Sequence, residues 1–153
     1  MSRPKALPVP GAYRYTTVPV GRTRDEIDRC LQRYGGDAIS WQDLWTTGKG
    51  KGILLRFQVT NRVYRVALEL SDDPQLQRQR MRALFNLIKS TMEQAAFGIL
   101  RLEDLLLAYT EVGDGRGRAT TVAEAIKGQI EQHLVPSLTA GLKALPAKAG
   151  VST

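Results

Sequence analysis

Ile53-Leu-Leu-Arg-Phe-Gln-Val59, Thr60-Asn61 and Arg62-Val-Tyr-Arg-Val-Ala-Leu-Glu-Leu70 form the stretch from which the fold is read. Both flanking runs are rich in β-branched and aromatic residues, and the two residues between them match the length of a tight hairpin loop, where Asn tolerates a left-handed backbone. Counting back from that turn, Val59 faces Arg62, Phe57 faces Tyr64, Leu55 faces Val66 and Ile53 faces Leu68. One face of the hairpin is therefore apolar. The same register sets Arg56 across from Arg65, where like charges destabilise a sheet unless solvent or an anion separates them. The pair reads either as two solvated side chains pointing apart or as a clamp for a phosphate or an acidic side chain.

Working toward the N-terminus, Ala38–Trp45 predicts a strand with Ile39 and Trp41 on one side, and the polar loop after it carries Lys49 and Lys51. Thr23-Arg-Asp-Glu26 has capping-box spacing and predicts a helix starting there. Ile27, Cys30, Leu31 and Tyr34 give that helix an apolar stripe, and Gly35-Gly36 supplies a left-handed stop. Tyr13–Val20 predicts a short strand, with Pro19 confining that end to an edge. Residues 1–12, with prolines at 4, 8 and 10, predict a flexible arm.

Toward the C-terminus, Ser71-Asp-Asp-Pro74 opens a long helix to about Phe97. Met81, Leu84, Phe85, Ile88, Met92 and Ala95 mark its apolar face, while Arg78, Arg82 and Lys89 fall within roughly 40° of one another at 100° per residue. Such a stripe reads as solvated surface or as a partner-binding edge. Gly98 ends the helix, and Leu102, Leu105, Leu106 and Tyr109 predict a short one with Glu103 and Asp104 in its first turn. Gly113–Arg118 predicts a mobile connector in which Arg116 and Arg118 are auxiliary phosphate contacts. Thr121-Val-Ala-Glu124 is a second capping box, opening a helix through Ile126, Ile130 and Leu134 that Pro136 stops. The tail, residues 136–153, is expected to be partly disordered unless Leu138, Leu142 and Leu145 dock as one further amphipathic turn.

These elements predict one α+β domain over residues 13–135, a small antiparallel sheet of about four strands packed against the long helix and its C-terminal neighbours. A chain of 153 residues buries a core of that kind without staples. Cys30 is the only cysteine, which excludes an internal disulfide and suits a reducing cytoplasm. The apolar runs are far shorter than a membrane span requires, and the N-terminal stretch lacks a signal-peptide core. The formal charge is +7, with 16 Lys/Arg against 8 Asp/Glu in residues 1–91 and 6 against 7 in residues 92–153. That asymmetry favours a polyanionic partner for the basic half.

No constellation for catalysis, cofactor binding or metal ligation emerges. Gly113-Asp-Gly-Arg-Gly-Arg118 fits neither a Walker loop nor a dinucleotide fingerprint. His133 is the only histidine. The carboxylates Asp25, Glu26, Asp28, Asp72 and Asp73 cluster where helix capping explains them, and no serine sits in a nucleophile elbow. Tyr13, Tyr15, Trp41 and Trp45 are the rings open to stacking on unpaired bases.

The run Val18-Pro-Val-Gly-Arg-Thr-Arg-Asp-Glu-Ile-Asp-Arg-Cys-Leu-Gln-Arg-Tyr-Gly35 resembles the opening of a group of small uncharacterised proteins associated with bacteriophages and prophages. The likeness continues through the hairpin, Arg82-Ala-Leu-Phe-Asn-Leu-Ile-Lys89, Gly98-Ile99 and Thr121-Val122, although the Gly113–Arg118 loop is longer than the group's short Asp-Gly turn. The resemblance implies a phage or mobile-element setting and no particular activity. The expectation is thus a non-enzymatic nucleic-acid-binding accessory protein, touching DNA or RNA phosphates through Arg56, Arg65, Arg78, Arg82, Lys89, Lys49 and Lys51. The alternative is a protein-binding module, a host-factor inhibitor or an oligomeric structural component, with Trp41 and Trp45 as anchors; a third, a metal-dependent nuclease or other enzyme, requires acids that converge in space.

Overall fold

The computed structural model describes residues 11–46 and 50–134. Its order is helix α1 (Val20–Arg33), strands β1 (Gly36–Thr46), β2 (Gly50–Val59) and β3 (Arg62–Glu69), helix α2 (Pro74–Ala96), and a short helix α3 (Leu102–Leu105) with a 3-10 turn at Leu107–Tyr109. A ribbon of β4 (Glu111–Gly113) and β5 (Ala119–Thr121) and helix α4 (Val122–Gln132) complete it. The fold is α+β, with the strands split into an antiparallel sheet of order β1-β2-β3 and a separate two-stranded ribbon rather than one sheet of about four.

The hairpin has the register expected from its turn: Val59 faces Arg62, Phe57 faces Tyr64, Leu55 faces Val66, Ile53 faces Leu68 and Arg56 faces Arg65. The left-handed residue of the turn is Thr60, at φ +57°, and not Asn61. β1 joins the other side of β2 and places Trp41 beside Leu55, after an irregularity between Asp37 and Ser40.

Ile53, Leu55, Phe57, Tyr64 and Val66 from the sheet, Ile27, Cys30 and Leu31 from α1, and Met81, Leu84, Ile88 and Met92 from α2 form one buried cluster. The predicted apolar faces of the hairpin, α1 and α2 thus meet in a single core, with the Phe57 and Tyr64 rings 5.5 Å apart at its centre. α2 starts as its sequence requires, with the Asp73 side chain accepting from the Gln75 amide and Pro74 in the first turn. Gly98, at φ +72°, ends it.

Three further expectations are corrected. Residues 13–20 form no strand: residues 11–15 make a turn, and Gln75 and Gln79 of α2 donate to the carbonyls of Arg14, Thr16 and Ala12. Pro19 is the residue before α1, and the Thr23 amide already donates to the Pro19 carbonyl at 3.1 Å. The Thr23–Glu26 capping box is therefore not made, because the helix begins one turn earlier, where Val20 packs on the core. Finally, Gly113–Arg118 closes the ribbon as a turn rather than serving as a loose connector.

The α1–β1 corner depends on its two glycines for different reasons. Gly35 takes φ +86°, and a Cβ on Gly36 would stand 2.8 Å from the Leu31 carbonyl oxygen. Only glycine lets strand and helix end approach so closely.

Candidate nucleic-acid interface

Arg56 and Arg65 point away from the core, since their strand neighbours Leu55, Phe57, Tyr64 and Val66 point into it. The anion between them is supplied by the chain itself. Thr110 bridges Tyr64 at the outer edge of β3, which brings Glu111 onto the arginine face. Arg56 donates from Nε to Glu111 Oε2 at 2.8 Å and from Nη2 to Oε1 at 3.1 Å, and Arg65 Nη2 lies 3.2 Å from Oε1. The Glu111 side chain is only 9% exposed. The Arg56 guanidinium, hydrogen-bonded to it, holds its carboxyl below the usual glutamate range, against a smaller opposing effect of burial and with further help from Arg65. The arginine pair is thus neutralised within the chain, by Glu111.

The helix stripe lies on the other side of the sheet, with α2 against the apolar face, so the structure does not bring hairpin and helix cations together. Arg82 ties α2 to α1: its Nη1 binds Glu26 Oε2, and its guanidinium sits 4.7 Å from the centre of the Phe85 ring. That hydrogen bond holds the Glu26 carboxyl below its ordinary range. Arg78 donates to the side-chain oxygen of Gln75. Lys89 is exposed. Lys51 lies on β2, its carbonyl accepting from the Leu70 amide at 2.7 Å, and Lys49 falls outside the described residues.

Sequence reasoning missed the cations of α1. Arg22, Arg29 and Arg33 are all exposed and fall within about 40° of one another at 100° per residue, a spacing visible in the sequence once the helix is extended back to Val20. Arg22 makes an exposed contact of 3.5 Å with Glu26. Among the described residues no carboxylate lies within ion-pair distance of Arg29, Arg33 or Lys89. Arg33 on α1 and Lys89 on α2, two helices packed on one another, both act electrostatically on Cys30. Burial pushes that thiol's pKa up, Arg33 and Lys89 pull it down, and Glu93 opposes them. Gln75, Gln79, Arg82 and Lys89 span about 80° of α2, so the side that carries Lys89 also holds α1 and the 11–15 turn. On that turn Tyr15 is 84% exposed, with the Arg14 guanidinium 5.6 Å from its ring centre.

The other rings and loops have structural partners. Trp41 donates from Nε1 to Asp28 Oδ1 at 2.8 Å and lies under Arg24, whose guanidinium is 5.4 Å from its ring centre. It is thus engaged at home rather than presented as an anchor, and the Trp45 side chain is outside what the structure describes. In the Gly113–Arg118 turn, Asp114 Oδ1 accepts from the amides of Arg116 at 2.6 Å and Arg118 at 3.1 Å. Those two amides are thus occupied internally. Cys30 is a buried core residue. Among the described residues no three His, Cys, Asp or Glu side chains gather as a metal site, and no helix is long and apolar enough to cross a membrane.

The chain matches no protein-family model, and no curated protein or solved structure matches it.

Proposed function

We propose that this α+β domain is a non-enzymatic nucleic-acid-binding accessory protein whose contact face is the α1–α2 helix pair with the 11–15 turn, in a phage or mobile-element setting as its sequence resemblance implies. The observation that carries this reading is that Arg29 and Arg33 on α1 and Lys89 on α2, two helices packed on one another, are all exposed and have no carboxylate within ion-pair distance among the described residues. Cations without carboxylate partners release counterions when they meet phosphate, whereas Arg56, Arg65 and Arg82 would first have to give up Glu111 or Glu26. Tyr15 beside Arg14 adds a ring for an unstacked base, which favours a single strand.

Fluorescence anisotropy with labelled single- and double-stranded oligonucleotides over a salt series tests it. Three phosphate contacts give a slope of log K against log salt of about −2 on a single strand. Replacing Arg29, Arg33 and Lys89 by Ala abolishes that dependence, while Arg56→Ala leaves it unchanged. Absence of binding at low ionic strength overturns the reading.

A protein-binding role is favoured by one separate feature. Past the end of α2, Phe97 is 81% exposed and Ile99 65% exposed on either side of Gly98, with Leu100 exposed beside them. Three adjacent large apolar side chains in water form a patch suited to a protein surface. Light scattering that detects self-association lost in Phe97→Asp supports this second role, and a monomer at all concentrations removes its self-assembling form.

A further inference from the structure

Helix α4 buries none of its residues, although its sequence is amphipathic. Val122, Ile126 and Ile130 recur every fourth residue, and Leu134 continues the series; Ile126, Ile130 and Leu134 are exposed. Opposite them stand Leu105 and Leu107, and the space between is an open groove of about 650 Å³ with an apolar floor. Its rim carries Asp104, Glu124 and Glu131 against the single cation Lys127. A helix of 11 residues is marginal in water unless its apolar stripe is packed. The stripe therefore calls for an occupant that is apolar and basic.

The chain itself supplies such a segment. After Leu134 the sequence runs Val-Pro136-Ser-Leu138-Thr-Ala-Gly-Leu142-Lys143-Ala-Leu145-Pro146, with leucines spaced four and three apart and no Asp or Glu through to residue 153. α4 ends at Gln132, and Pro136 bars a continuous helix through this point. Residues 133–136 are as many as a tight turn between antiparallel helices uses. Nine helical residues from 137 to 145 would measure about 13 Å, and α4 about 16 Å, so the two lengths match.

We propose that residues 137–145 fold back antiparallel along α4 and lay Leu138, Leu142 and Leu145 into the groove, with Lys143 against its acidic rim. The groove is then an intramolecular seat rather than a site for a foreign ligand.

Hydrogen exchange on the full chain, at low and high protein concentration, tests this. The amides of 138–145 exchange at least roughly tenfold more slowly than in an unstructured peptide, equally at both concentrations. Ile126→Asp with Ile130→Asp removes that protection while the 53–68 hairpin, which does not touch the groove, keeps its own. Free exchange of 138–145 in the unaltered chain overturns the proposal. So does protection seen only at high concentration, which would assign the groove to a second copy, or protection that survives the double substitution.

Discussion

Glu111 decides what the facing arginines do. Two guanidinium groups directly across a strand pair repel, and a single carboxylate, nearly buried and shared between them, converts the repulsion into a three-residue network. Removing it leaves the arginines facing each other, so Glu111→Ala is expected to cost about 1–3 kcal/mol in denaturant unfolding. Adding Arg56→Ala restores part of that loss, and strict additivity of the two changes would show that the network is not coupled. The arginine pair was legible because hairpin register follows from the turn. Its partner was not, since Glu111 stands 55 residues from Arg56 and reaches it only when Thr110 docks on the edge of β3.

Two identical local signals had different outcomes at the level of the element. Thr121 caps α4 by accepting from the Glu124 amide, as Thr-x-x-Glu spacing predicts, whereas Thr23 and Glu26 have the same spacing inside α1. There the backbone ladder has already claimed the Thr23 amide, and Arg82 has claimed Glu26, so tertiary packing outweighs the cap. The turn at Thr60-Asn61 was legible as a turn but not in which residue bends left. A β-branched residue at positive φ is strained, and Asn adopts that conformation more readily. Thr60→Asn is therefore expected to stabilise the protein by about 0.5–1 kcal/mol, read as a higher denaturant midpoint; an unchanged or lower midpoint would mean that the hydrogen bond from Thr60 Oγ1 to the Val59 carbonyl outweighs the strain.

Across the whole molecule, carboxylates hold separate pieces together: Glu26 joins α1 to α2, and Glu111 joins the ribbon to the sheet. Both have pKa values below the ordinary glutamate value of 4.5, the first mainly through its hydrogen bond to Arg82 and the second mainly through that to Arg56. A carboxyl whose pKa is lower in the folded than in the unfolded chain contributes stability that is complete above 4.5 and lost as pH falls through the folded value. Urea midpoints are thus expected to be level near neutrality and to drop below pH 4.5, with a shallower drop in the Glu26→Gln, Glu111→Gln protein. An acid limb of equal steepness in both proteins would place the titrating groups elsewhere. The core and the hairpin were legible because apolar periodicity writes them locally. The charge layout was not, because whether a cation is spent or available depends on which carboxylate the fold carries to it.

The missing side chain at Gly36 bears on how α1 presents its arginines. The strand backbone lies against Leu31 at this corner, and α1 is held besides by Ile27, Cys30 and Leu31 in the core it shares with the sheet and α2. A ligand meeting Arg29 and Arg33 would encounter a fixed template instead of a hinged arm, and would forfeit little ordering entropy on contact.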